Sequence, residues 1–263
     1  MKKTRIWELD FVRGFAIIMM IFDHLMYDLK NLDSYFYNFN LVDNGVFNWL
    51  SSFSELYWNS ELRFFGHFFF VSVFLIVSGI SFTFSKSNLS RANKLMIVAV
   101  LISVVTFAIE YFTGMQMFII FGVIHMYAFS TFLTYLFRKI WDNDVFIFTI
   151  GAGILILGVS LEFWELHYIS KITWDTLPGI IIGTKAFGAD YFGLIPYLGI
   201  IMIGTVIGNL FYKNKVTLLP KVKLSEKNVF IFAGRKSLII FLTHQFILMG
   251  LIIIVGYILG YRI

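Results

Sequence analysis

The 263-residue chain is 59% hydrophobic and 19% aromatic, with 32 phenylalanines and only 14% charged residues, and its mean hydropathy is +0.80. A soluble domain carries about 25% charge, so the composition excludes one and predicts an all-α polytopic membrane protein, a single integral-membrane domain over residues 1–263. Cys 0 excludes disulfides, thiolate catalysis and Cys-ligated metals, and the net charge of +5 is read as membrane topology, with no nucleic-acid partner.

Seven apolar runs of helix-spanning length follow in chain order, at 9–29, 64–85, 95–112, 117–137, 145–162, 192–212 and 237–260. The Met-Lys-Lys-Thr-Arg start is like a signal-peptide n-region, but the run after it holds Asp10, Arg13 and Asp23 and has no small-x-small cleavage pattern, so it is read as a retained helix. Ionisable groups at membrane depth cost a few kcal/mol each unless they meet a partner or a wet cavity, which makes them functional candidates by default. Arg13 and His24 stand eleven positions apart; on a helix that is within about 20° of three full turns, so they share a face about 16 Å apart along the axis. Asp10 and Asp28 fall on the same side. The first helix thus carries a polar stripe along most of its length.

The loop 30–62 contains VFNWLSSFSELYWNSELRFF at its end, with apolar residues at helical spacing, a segment predicted to lie along the interface. The loop 163–191 contains LPGIIIGTKAFG, too short and too Gly-rich to span, which is predicted to dip in from outside. No internal repeat or low-complexity segment is evident. Of the 21 basic residues, fifteen fall before the first run, after the second and fourth, and between the sixth and seventh. Only Lys30, Arg63, Lys171, Lys185 and Arg262 fall on the other side. The positive-inside rule then predicts a bundle of about seven transmembrane helices with the N-terminus in the cytoplasm and the C-terminus outside, in the plasma membrane of a bacterium and surrounded by membrane lipid.

Four of the five histidines fall in these runs: His24 and His67 near the outer ends of the first two, His125 near the middle of the fourth and His244 in the inner half of the seventh. Glu110, Asp23 and Asp28 add carboxylates at the depth of His24 and His67. A histidine oriented by a carboxylate suits general-base work near neutral pH; the same residues also serve simply as hydrogen-bonding links between helices. His167 reads as a loop residue. Arg13 admits two readings, a side chain that snorkels to water beside Asp10 and a guanidinium fork for an anionic phosphate arriving from the cytoplasm. No metal is expected, because the histidines lie on different helices with no i, i+4 pair.

Five stretches carry a family resemblance: ELDFVRGFAIIMMIFDH (8–24), FFVSVFLIVSGISFTFS (69–85), FGVIHMYAFS (121–130), DYFGLIPYLGIIMIGTVIGNLFY (190–212) and GRKSLIIFLTHQFIL (234–248). In this order they resemble bacterial membrane proteins of the heparan-α-glucosaminide N-acetyltransferase catalytic-domain family, within the wider transmembrane acyltransferase superfamily. The resemblance implies transfer of an acyl group, acetyl above all, from cytoplasmic acetyl-CoA or another acyl-CoA to an extracytoplasmic glycan or glycolipid acceptor. Arg13 and His24 also stand at the Arg-x10-His spacing of the related acyltransferase-3 proteins. By that resemblance Arg13 would bind the CoA end and His24 would sit beside the transferred acyl group. Asp10, Gly14 and His125 are taken with Arg13 as candidates to hold the donor, and the predicted topology puts His24, Asp28, His67 and Glu110 at matching depth as a candidate catalytic cluster, with Asp28 and Glu110 to orient His24. The lysosomal enzyme of the family places its catalytic histidine in an outside segment after the first helix; residues 30–62 hold none, so His24 would serve. An extended pantetheine arm, on the order of 15–20 Å, would match the Arg13–His24 spacing that helix rise sets. Two other classes fit the same charges: a transporter or lipid-handling protein, and a non-enzymatic membrane protein whose polar residues only join helices.

Overall fold

The computed structural model describes residues 5–42, 45–114, 116–161, 167–222, 224–225 and 227–263. Lys2, Lys3 and Lys223, three of the basic residues used for orientation, lie outside the described residues. Among the described residues the chain forms eleven α-helices and one 3₁₀ turn (Phe39–Leu41), with two isolated bridges and no β-strand. The helices are α1 (Trp7–Lys30), α2 (Leu32–Tyr35), α3 (Gly45–Trp58), α4 (Glu61–Phe82), α5 (Asn88–Thr113), α6 (Val123–Ile140), α7 (Asp144–Ser160), α8 (Leu177–Ile182), α9 (Tyr197–Phe211), α10 (Val229–Arg235) and α11 (Ser237–Ile258). Seven of them lie over the seven apolar runs. Three, α4, α5 and α11, are long and apolar enough to cross a membrane, and α7 and α9 are shorter apolar helices. The segment predicted to lie along the interface folds largely as α3, and the Gly-rich segment folds as the six-residue α8 closed by Gly183 at φ +122°.

Local chemistry sets the helix ends. Ser87 and Asn143 cap α5 and α7 by accepting from Ser90 and Phe146 backbone N–H groups, and Asn228 caps α10 the same way. The fourth run departs from expectation: its first residues are not helical. Gly122 is extended at the N-cap of α6, which places His125 in the first turn of that helix rather than at mid-span.

The described chain divides into two compact units, Met1–Phe74 with Thr217–Ile263, and Leu75–Val216. In the first unit α1 packs against α3, α10 and α11. Contact with α10 is at backbone distance: a Cβ on Gly14 would overlap the Phe230 carbonyl, and one on Gly234 would overlap the Asp10 carbonyl. Met26, Leu29, Leu32, Phe36, Phe47, Ile252 and Tyr261 form the apolar core at the other end of α1. Glu8 ties the start of α1 to the chain before α10, accepting from the Thr217 hydroxyl and the Leu218 N–H at 2.8 Å each.

In the second unit α5 packs on α6, α7 on α9 and α6 on α9. The core of Ile147, Leu198, Met202 and Val206 lies between α7 and α9. The Arg138 guanidinium closes one end of these helices, donating to Thr205 Oγ1, Asp142 and Asp144 at 2.8 Å, while Asn209 donates to Asp144 at 2.9 Å.

Candidate functional site

Asp23 is the centre of the densest polar cluster in the first unit. Its position on α1 turns the carboxylate toward α3 and α4, and three side chains from that side converge on it. Arg63 binds with two parallel bonds, Nε to Oδ1 at 3.0 Å and Nη2 to Oδ2 at 3.1 Å. The Tyr57 hydroxyl donates to Oδ1 at 3.1 Å, and His67 Nδ1 lies 3.0 Å from Oδ2. An ionised carboxylate only accepts, so His67 carries its hydrogen on Nδ1 and its Nε2 is the acceptor nitrogen of the neutral ring. That is the orientation of an imidazole base held by a carboxylate.

The Arg63 guanidinium lies 3.7 Å over the ring of Trp58, which also meets Tyr27 at 5.0 Å and Lys30 at 5.6 Å. Stacking and the ion pair together leave Arg63 one position, which fixes Asp23 in turn. Burial, then the Asp23 charge and the bond to it, push the Tyr57 phenol up to about 12, so Tyr57 remains a donor at neutral pH. A cavity of about 10 Å³, lined by Met19, Met20, Asp23, Tyr57, His67 and Phe70, adjoins the cluster. Its size suits one water-sized group such as a hydroxyl.

His24 faces the other way, toward α11. Its ring meets His244 edge to face with centroids 4.8 Å apart. Asp28, one turn further along the same face and fully buried, does not orient His24. It accepts from Gln245 Nε2 at 2.9 and 3.0 Å and from the Tyr35 hydroxyl at 3.1 Å. This corrects the expectation: two consecutive α11 residues meet His24 and Asp28, each partner taking one of them.

At the other end of α1, Asp10 is shared by two arginines, Arg13 at 3.8 Å and Arg235 at 3.3 Å. Arg235 was legible only as a loop cation; its role comes from α10 folding back onto α1. Gly14, proposed with the donor-holding residues, is spent on the close approach of α10.

The other two expected site residues lie in the second unit. Glu110 is engaged where the chain turns after α5, accepting from the Phe118 N–H at 2.8 Å. His125 accepts from the Gly122 N–H at its Nδ1, 3.3 Å away, and its Nε2 lies 3.0 Å from Ser103 Oγ, which itself donates to the Ile119 carbonyl at 2.7 Å. With both ring nitrogens and the serine hydrogen committed, His125 staples the α6 start. Beside it, burial pushes the Asp190 carboxyl up to about 7 against a bond from the Val123 N–H. Among the described residues no group of three or more His, Asp or Glu side chains is placed to hold a metal.

Arg63 and Tyr57 escaped the sequence reading, although one signal was present. Arg63 and His67 are four apart, so they share a helix face and reach one carboxylate together.

An all-helical chain with long apolar helices and buried ionisable clusters on them belongs to the class of membrane proteins. The catalytic-domain model of heparan-alpha-glucosaminide N-acetyltransferase matches residues 5–246, nearly the whole length, and the chain belongs to that family of membrane acetyltransferase-type proteins. No curated protein and no solved structure matches it.

Proposed function

We propose that the chain carries an acyl group, acetyl in the first instance, from cytoplasmic acyl-CoA to a hydroxyl or amine of an extracytoplasmic glycan or glycolipid. In this reading seven helices cross the bacterial plasma membrane with the N-terminus inside and the C-terminus outside, and the Asp10–Arg13–Arg235 group stands at the cytoplasmic end. Arg13 and Arg235, which both meet Asp10, are the guanidinium groups that would receive a CoA phosphate.

The observation that carries the proposal is the Asp23–His67 pair beside a water-sized cavity. His67 Nε2 takes the proton of the acceptor hydroxyl as its oxygen attacks the thioester carbonyl. The carbon–sulfur bond then breaks, and the CoA thiolate leaves with the proton that His67 returns. Asp23 holds the imidazolium formed between these steps, while Arg63 and Tyr57 keep Asp23 in place.

The test uses the full chain in lipid nanodiscs with labelled acetyl-CoA. His67→Ala is expected to keep acetyl-CoA binding and lose transfer at least a hundredfold, as removal of a general base does. Arg13→Ala is expected to weaken acetyl-CoA binding, with only part restored by Arg13→Lys, because a point charge lacks the fork. A folded wild-type chain that binds no acetyl-CoA would overturn the proposal.

A further inference from the structure

Trp58, the last residue of α3, gathers two cations from different helices. The Arg63 guanidinium lies 3.7 Å from its ring centroid and the Lys30 ammonium 5.6 Å. These distances keep the two charges within about 9 Å of each other, a gap that one phosphate bridges with contacts of about 2.8 Å on each side. Lys30 ends α1 and Arg63 is in the first turn of α4, helices of 24 and 22 residues. In the seven-span reading both stand at the same membrane boundary, at the depth of lipid headgroups, where Tyr and Trp such as Tyr27 and Trp58 gather.

A guanidinium has five N–H donors. Arg63 gives two of them to Asp23, one from Nε and one from Nη2. The other three, two on Nη1 and one on Nη2, meet no acceptor among the described residues, and the side chain is 20% exposed. Together they form the end of the guanidinium, an edge that grips phosphate with parallel bonds. Lys30 is in no ion pair among the described residues, and the nearby carboxylates Glu55 and Glu61 pair with neither cation. Asp23 offsets the charge of Arg63, so the charge of Lys30 remains. The patch therefore offers N–H donors and net positive charge, which select an anion.

We propose that Lys30, Trp58 and the open edge of Arg63 form a binding subsite for a phosphate group, carried by an anionic phospholipid headgroup or by a soluble phosphate ester. Lys30 supplies the charge, Arg63 the directional bonds, and Trp58 the wall that holds both in place. Because Arg63 grips Asp23 with its other edge, a phosphate bound here is held next to the Asp23–His67 pair. The subsite stands apart from the Asp10–Arg13–Arg235 group, since Lys30 and Asp10 are about 30 Å apart by the rise of α1. Its existence does not depend on acyl transfer.

Native mass spectrometry of the full chain, released from detergent micelles titrated with phosphatidylglycerol or with diacylglycerol, tests this. The two lipids share their chains and differ in the phosphate. Phosphatidylglycerol is expected to bind at least tenfold more tightly. Lys30→Gln is expected to weaken that binding about fivefold, the worth of one cation near an anionic headgroup, while Lys30→Arg stays within twofold of the wild type. Lys171→Gln, a change in the other unit, is expected to have no effect. Competition by glycerol 3-phosphate at the lipid's own concentration assigns the subsite to soluble phosphate esters; its absence assigns the subsite to the lipid headgroup. Equal binding of the two lipids, or phosphatidylglycerol affinity unchanged in Lys30→Gln, overturns the proposal.

Discussion

Replacing Asp23 by Asn separates what its carboxylate does for the fold from what it does for His67. The native carboxylate takes two hydrogens from Arg63, one from Tyr57 and one from His67. Asn offers a single oxygen and turns an NH₂ group on at least one of these donors. Breaking a buried ion pair from one side costs about 3–5 kcal/mol, chiefly from the stranded partner. The Asp23 and Arg63 side chains are 12% and 20% exposed, and Arg63 keeps its stack on Trp58, so the lower figure of about 3 kcal/mol applies. If the Asn oxygen stays with Arg63, its NH₂ faces His67 Nδ1 and forces the hydrogen onto Nε2. The base then has no lone pair toward the cavity, and transfer is expected to fall roughly 10⁴-fold, the scale of a wrong-tautomer histidine in serine proteases. Unfolding in a denaturing-detergent titration and acetyl transfer are measured on the single variant and on Asp23→Asn with Arg63→Met. The double variant removes the stranded cation, so most of the stability is expected to return while transfer stays lost. A single variant within about 0.5 kcal/mol of wild type, the ordinary range for surface substitutions, or a double variant that regains transfer, would refute the reasoning.

Asp190 makes stability depend on pH. Its folded carboxyl titrates at about 7 against the ordinary 3.8, so the folded state holds a proton that the unfolded chain releases; stability is full below pH 4, falls as pH rises to 7, and is flat above. The loss is at most about 4 kcal/mol at about 1.4 kcal/mol per unit, and melting curves of Asp190→Asn across that range are expected to lose the slope. Gly14→Leu is expected to unseat α10 and remove the Asp10–Arg235 contact, seen as an overpacking loss of more than about 3 kcal/mol and rapid proteolysis near Arg235. His125→Ala is expected to lower the melting temperature while leaving acetyl-CoA affinity within twofold; a selective loss of affinity would return His125 to the donor site. Alkaline phosphatase fused after Ile263 is expected to be active, and fused near Lys221 inactive; the reverse would invert the proposed orientation.

Helix positions were legible because membrane-length apolar runs and capping residues are local signals: the span predicted at 237–260 is α11, Ser237–Ile258. The fourth run shows where such signals stop. Hydropathy continues through Phe118–Phe121, yet Gly122 and the bonds to Glu110, Thr106 and Ser103 hold that stretch out of the helix. The site was half legible for a similar reason. Charges in α1 marked it as polar, but the periodicity of one helix says which residues share a face and not what covers that face. Asp23 and His24 are adjacent in sequence and about 100° apart around α1, so one meets α3 and α4 and the other meets α11. Helix spacing joined Arg13, His24 and Asp28 into one stripe; the partners Arg235, His244 and Gln245, more than two hundred residues away, divide that stripe into separate jobs. Asp23 lay off the stripe, and only its partners Tyr57, Arg63 and His67 reveal it as the carboxylate on which three side chains from α3 and α4 converge.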